Sequence, residues 1–170
     1  APAKMIAASE RRHAPWIVGG KIFGLDGKEG RGARRRKLTP WRALTTMAGF
    51  DTWNLHKLAS PDGPVTIDAV SGALMLTDTA SFKALGGFDE RYFLHVEDVD
   101  LCRRAIEAGG SVTYQPKAGA LHYTSTSDAP RDKVQAHKVA SLKRYFRKFA
   151  KTPGEKFAAA LMVPLIGLAM

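Results

Sequence analysis

Apolar and polar residues alternate in short blocks along this chain, and the period changes from block to block. Pro2 to Arg12 places Met5, Ile6, Ala7 and Ala8 between polar residues after an early proline, which predicts a helix. Trp16-Ile17-Val18-Gly19-Gly20 predicts a short buried strand ended by its glycines. Asp26-Gly27 predicts a hairpin or tight loop. Gly30 to Lys37 combines glycine with five cations and predicts a mobile loop, either solvated or binding. Thr39 is placed to cap a short helix with Pro40 at its first position. Ser60-Pro61-Asp62-Gly63-Pro64 is a loop signal. Val65 to Val70 predicts a strand broken by Ser71-Gly72, with extended chain resuming over Ala73 to Leu76.

The second half is more regular. Thr77 or Asp78 caps a short helix through Leu85, stopped by Gly86-Gly87. Glu97 to Ala108 is a helix with Val99, Leu101, Cys102, Ala105 and Ile106 on one face, ended by Gly109-Gly110. Ser111 to Gln115 is a strand stopped by Pro116, and Gly119 to Tyr123 is a second short extended piece. Asp132 to Ala150 is a basic amphipathic helix whose apolar positions are Val134, Leu142, Tyr145, Phe146 and Phe149. Thr152-Pro153-Gly154 breaks it, and an apolar run to Met170 follows. Strands and helices in alternation indicate an α/β fold.

Composition narrows the class. A length of 170 residues suits one domain. The net charge of +10 predicts an anionic partner. Cys102 is the one cysteine, so no intrachain disulfide forms and a reducing, cytoplasmic compartment fits. The final apolar run, residues 157–170, is shorter than the ~20 residues a membrane-spanning helix needs. Nucleic acid is excluded as a partner because no reading module is present and the aromatics cluster with acids, which repel phosphates.

Glu97-Asp98-Val99-Asp100 sets three carboxylates at the start of a helix. Their structural reading is complementarity to the positive end of the helix dipole. Their chemical reading is proton transfer: a carboxylate here can accept the proton of an attacking hydroxyl. Gly86-Gly87, Phe88-Asp89 and Tyr92-Phe93 lead into the cluster. Glycines permit close backbone approach, and aromatic faces suit pyranose rings.

Three blocks carry a resemblance: Val70 to Leu76 around Ser71-Gly72, Leu85-Gly86-Gly87-Phe88-Asp89-Glu90-Arg91-Tyr92-Phe93, and Glu97 to Arg104. Gly109 to Pro116 and Leu121-His122-Tyr123 continue it. In order and spacing the set resembles inverting family 2 glycosyltransferases of the rhamnosyltransferase type, over roughly residues 14–149. The resemblance implies a partial GT-A (Rossmann-like) domain, a mixed sheet flanked by helices. By position, it makes Asp98 the general base and Glu97 its tuning or acceptor-side neighbour. Ser71, Gly72, Gly86, Gly87, Asp89 and Glu90 are donor- or acceptor-binding positions, and His122 is a candidate metal ligand. The reaction implied is transfer from a nucleotide-sugar donor to a glycan or lipid-linked acceptor in envelope polysaccharide synthesis. A divalent cation, Mg²⁺ or Mn²⁺, is implied at the diphosphate, held mainly by an Asp-x-Asp motif that does not occur before residue 97. The chain is therefore expected to be the C-terminal part of such an enzyme, inactive alone. Arg103 and Arg104 are expected to cover the helix or pair with carboxylates.

The expected organisation is an acceptor-side catalytic part over 1–128, a basic helix over 129–152 and an apolar, membrane-associated tail over 153–170. Residues 131–156 hold nine Lys/Arg against two acids. Two readings stand for this region: adsorption to an anionic membrane surface, on the inner face of the plasma membrane, or a basic surface helix packed on the domain. A non-catalytic membrane- or partner-binding module is the alternative to the enzyme.

Overall fold

A computed structural model describes residues 1–10, 12–30, 32–47, 50, 61–123 and 130–168. Pro2–Ser9 (α1) opens the chain, with proline at the helix start, where its missing N–H is tolerated. Trp16–Phe23 follows as β1, then the two-residue strand Arg34–Arg35 (β2) and the helix Pro40–Met47 (α2). Val65–Thr66 (β3), Ala69–Val70 (β4) and Met75–Leu76 (β5) are also two residues each. Thr79–Ala84 (α3), Glu97–Glu107 (α4), Ser111–Leu121 (β6), Arg131–Phe149 (α5) and Pro153–Leu168 (α6) complete the described elements.

The main sheet is mixed, in the order β3-β6-β1-β5. β1 runs parallel to β6 and antiparallel to β5, and β3 is antiparallel to β6. β2 and β4 form a separate antiparallel pair. Alternation along β1 sends Ile17 and Val18 to opposite faces. Val18 meets Met5 and Ala8 of α1, together with Ala118. Ile17 and Ile22 join the main core with Val99, Leu101, Cys102 and Ala105 of α4 and Leu142, Tyr145, Phe146 and Phe149 of α5. The sheet is thus flanked by helices, and compatible with a Rossmann-like fold.

Several elements differ from the sequence expectation. Gly19 and Gly20 do not end β1; they lie buried inside it. A Cβ on Gly19 would collide with the Val70 side chain, and one on Gly20 with Leu74, so the glycines let β1 lie flush against the 70–74 segment. Pro116 does not end β6. It falls where the register slips, because Gln115 pairs with Gly20 but Gly119 pairs with Lys21. A bulge tolerates a residue that cannot donate to the ladder. The expected strand over Val65 to Val70 is split between two sheets, and Gly72–Leu74 is a 3₁₀ turn, not extended chain. The basic run over Gly30 to Lys37 is not simply a loop, because Arg34 and Arg35 pair with Val70 and Ala69.

Other expectations hold. Asp78 caps α3 through Ser81 N–H, and the Thr39 hydroxyl accepts from Arg42 N–H at the start of α2. Gly27 occupies a left-handed turn (φ 71°). Ser60 lies outside the described residues, while the chain from Pro61 to Pro64 is a loop. Among the described residues, no helix is long and apolar enough to cross a membrane.

The flush contact at Gly19 gives a direct test. Gly19→Ala should destabilise by about 1–3 kcal/mol or more, since overpacking forces side chains and backbone to shift. Gly63→Ala, where a Cβ meets nothing within 4 Å, should leave the melting temperature unchanged. Thermal melts followed by circular dichroism compare the two; equal melting temperatures would refute the close packing.

Candidate functional site

The helix α4 positions the acidic cluster. Glu97, Asp98 and Asp100 occupy its first turn, at the positive end of the dipole. No side chain caps this end; the residues before it, His95 and Val96, both have left-handed backbone (φ 64° and 75°). Such φ values are strained for a β-branched residue like Val96. The surroundings hold the strain in place. Val96 is buried in the core, and its carbonyl accepts from Asp100 N–H at 2.8 Å. Ser141 of α5 donates to the Leu94 carbonyl at 2.8 Å, and the Phe93 ring lies 4.3 Å from that of His137.

Asp98 is buried, and both its oxygens are engaged. Oδ1 accepts from Val99 N–H at 2.7 Å. Oδ2 accepts from Gly72 N–H at 3.0 Å and forms a short ion pair with Arg35. Gly72 can come this close because it lacks a side chain: a Cβ there would sit 3.3 Å from Asp98 Cβ. Ser71 holds the turn by accepting from Ala73 N–H at 3.3 Å. Glu97 Oε2 is buried without a hydrogen-bond partner. Burial, with the charge of Asp98 adding to it, raises the Glu97 carboxyl above its ordinary value.

Gly86, Gly87, Asp89 and Glu90 form a second group. They line a cleft of about 450 Å³ with Arg91, Arg104 and Lys148. Gly86 and Gly87 both have positive φ (75° and 70°), which is why a glycine pair ends α3 here. Asp89 is an ion-pair hub: Arg91 lies at 2.9 Å, Arg144 at 2.7 Å and Lys148 at 3.0 Å. The Arg91 hydrogen bond, then Arg144 and Lys148, hold its carboxyl far below the usual range against the opposing effect of burial. Lys148 also meets the fully buried Asp100 at 2.6 Å, where Arg104 (2.6 Å) and the Tyr92 hydroxyl (3.0 Å) bind too. Burial, then the charge of Asp100, pushes the Tyr92 hydroxyl above its ordinary value. Arg104 continues to the carbonyls of Leu85 and Gly87, and Arg103 pairs with Glu107 at 2.9 Å. Both arginines pair with carboxylates, as expected.

Asp98 and Asp100 therefore serve different neighbourhoods. Residues two apart on a helix point to different sides. One side of α4 meets Gly72 and Arg35; the other meets the 85–92 turn and α5. The structure brings the sequence candidates together as Ser71, Gly72, Glu97 and Asp98, and separately as Gly86, Gly87, Asp89 and Glu90. His122 joins neither through a side-chain contact. It follows β6, is exposed, and its backbone N–H donates to the Phe23 carbonyl at 2.9 Å. Among the described residues no three His, Cys, Asp or Glu side chains converge on a common point. A hard divalent cation needs several oxygen ligands. By themselves the described residues supply no ligand set for such an ion.

Two residues at the site were not singled out from sequence. Arg35 lay within the flagged basic run, but nothing in the run distinguished it from its neighbours. His95 stands between the aromatics and the acid pair. Desolvation, with the charges of Lys138 and Arg35, lowers its imidazole below the ordinary value, while Asp98 opposes this. Cys102 is fully buried, and burial pushes its thiol up to about 12, so it is an inert core group.

Sequence comparison adds partial relatives. The chain is 43% identical over 70 residues to the N-acetylglucosaminyl-diphospho-decaprenol L-rhamnosyltransferase of Mycobacterium tuberculosis, covering 40% of this chain and 23% of that protein. It is 40% identical over 57 residues to the rhamnosyltransferase WbbL of Escherichia coli K12, covering 34% of this chain and 22% of the relative. A pre-mycofactocin glycosyltransferase of M. tuberculosis matches at 41% over 58 residues, covering 34% and 12%. The match thus spans less than a quarter of the length of each of these relatives. No protein-family model matches the chain. The partial relatives support a glycosyltransferase family.

The Asp89 hub predicts acid sensitivity. A carboxylate with a depressed folded value contributes stability that is complete above its unfolded value of about 3.9 and is lost as pH falls below it. The melting temperature of the chain should hold from neutral pH to about pH 5 and fall steeply below about pH 4. Asp89→Asn should melt lower at neutral pH and lose less on acidification. Parallel slopes for the two proteins would remove Asp89 from the account.

Proposed function

We propose that this chain supplies the acceptor-side, base-bearing part of an inverting glycosyltransferase. The enzyme would move a sugar from a nucleoside-diphosphate donor to a glycan or lipid-linked acceptor in cell-envelope polysaccharide synthesis. The observation that carries the reading is Asp98: a buried carboxylate at a helix N-terminus, fixed by Gly72 N–H and Arg35, beside Glu97 with its raised carboxyl. The partial likeness to rhamnosyltransferases supports it.

In this reaction Asp98 takes the proton of an acceptor hydroxyl as its oxygen bonds to the anomeric carbon. The bond from that carbon to the diphosphate oxygen breaks on the opposite side, and the configuration inverts. The nucleoside diphosphate leaves with the electron pair, and the proton stays on Asp98 until solvent removes it. Gly72 and Val99 hold the carboxylate in one orientation, so its aim is set before the acceptor arrives. The cleft beside Asp89 and Glu90, edged by the Phe88 ring, lies on the other side of α4 from Asp98, so in this reading it holds a part of the acceptor remote from the reacting hydroxyl. Glu97 bounds the base and adds a second carboxyl whose proton is retained more readily than usual.

Asp98→Asn tests the assignment in the protein that contains this chain. General-base catalysis typically contributes 10²–10⁴-fold. Transfer should fall within or beyond that range with donor affinity close to the parent's, and the melting temperature should drop because Arg35 loses its buried partner, so turnover is compared well below the variant's melting temperature. Turnover equal to the parent's would sink the base assignment.

A further inference from the structure

The helix α6 has one face with no partner among the described residues. Ala159 anchors its inner side in the main core. On the outer side Phe157, Leu161 and Leu165 are 71%, 59% and 43% exposed, and Ala160 and Pro164 between them are exposed as well. Spacings of four residues put the three large side chains on one stripe. The stripe covers eight residue steps, about 12 Å of helix. It is long enough to lie along a surface.

The charges around this stripe are not arbitrary. Part of the positive charge of α5 is consumed inside the molecule: Arg144 and Lys148 neutralise Asp89 and Asp100. Lys151 pairs with Glu107. Glu155 turns back to accept from Lys151 N–H and Thr152 N–H, as the cap at the start of α6. Arg147 and Lys156 are exposed, show no ion pair among the described residues, and line a cavity of about 440 Å³ against Ala160 and Pro164. Apolar side chains and unpaired cations therefore share one edge of the molecule. That combination matches a surface with phosphates outside and hydrocarbon beneath.

We propose that α6 docks in the plane of an anionic lipid surface, with Phe157, Leu161 and Leu165 in the acyl boundary and Arg147 and Lys156 at the phosphates. Sugar transfer does not enter into this. A lipid surface is where a lipid-linked acceptor is presented, but lipid binding is measured without donor, acceptor or turnover. The two proposals therefore fail independently.

The test is co-sedimentation of the 170-residue chain with vesicles of phosphatidylglycerol and phosphatidylcholine, against vesicles of phosphatidylcholine alone. Binding should be at least about tenfold tighter to the anionic vesicles and weaken in high salt. Phe157→Ser with Leu161→Ser should weaken it about tenfold or more, through lost apolar burial. Arg147→Glu with Lys156→Glu should abolish the preference for anionic lipid. All four positions are exposed, and unchanged melting temperatures would show that the variants fold. Absence of anionic binding, or serine variants that bind as the parent does, would overturn the proposal. So would a parent chain that is dimeric in sedimentation velocity and becomes monomeric in the serine variant, because the stripe would then belong to a second copy.

Discussion

Two carboxylates on the first turn of α4 are withdrawn from water, and each has to be neutralised where it sits. A buried charge without a partner is not sustainable, and removing one partner of a buried pair typically costs about 3–5 kcal/mol. Asp98 takes Arg35, which draws the basic run against Ala69–Val70 and makes a strand rung of it. Asp100 takes Arg104 from its own helix and Lys148 from α5. Arg104 then reaches the carbonyls of Leu85 and Gly87 and fixes the turn after α3. A basic run, a glycine turn and a long helix are all positioned by the need to satisfy α4.

This dependence explains which parts of the molecule were legible in the sequence. α3, α4 and α5 match the sequence expectation nearly to the residue, because local signals specify them: the Asp78 cap, the glycine pairs after α3 and α4, and an apolar stripe of helical period in α4 and α5. The glycines of β1 and Pro116 of β6 were misread as stops. Both are punctuation by local rule, and both are overridden here by tertiary geometry, a flush contact in one case and a register slip in the other. The acid cluster was legible as a concentration of charge at a helix start, but the division of Ser71 and Gly72 from Gly86, Gly87, Asp89 and Glu90 was not. Their separation onto two sides of α4 follows from helix periodicity once Asp98 and Asp100 are both known to be buried. Burial of a charged residue is what the sequence does not state. Arg35 was hidden for the same reason: its partner lies 63 residues away, and nothing local marks it apart from Arg34 or Arg36.

The net charge of +10 also takes on a different meaning in three dimensions. Read along the chain, the basic helix invited a membrane reading for the whole of α5. In the fold its apolar stripe, Leu142, Tyr145, Phe146 and Phe149, is core, and two of its cations serve buried aspartates. A cation spent on an internal carboxylate contributes little field at the surface. The outward electrostatics of this end therefore rest on the cations that remain, among them Arg147 and Lys156, and on where they sit relative to the exposed stripe of α6.

The same accounting bears on the proposed chemistry. An ionised carboxylate offers about four acceptor sites over its two oxygens. On Asp98, Oδ2 already carries Gly72 N–H and Arg35, and Oδ1 carries Val99 N–H. Each oxygen therefore keeps acceptor capacity beyond the bonds it makes, which the proposed proton transfer would draw on. Proton transfer then leaves a neutral acid beside the Arg35 guanidinium, whose charge has lost its counterpart. Arg35 is weakly tied elsewhere: its Nε is buried without a hydrogen bond, and its contact with the Val70 carbonyl is long, at 3.4 Å. The ion pair that organises the resting site is therefore the interaction that the proposed proton transfer would give up.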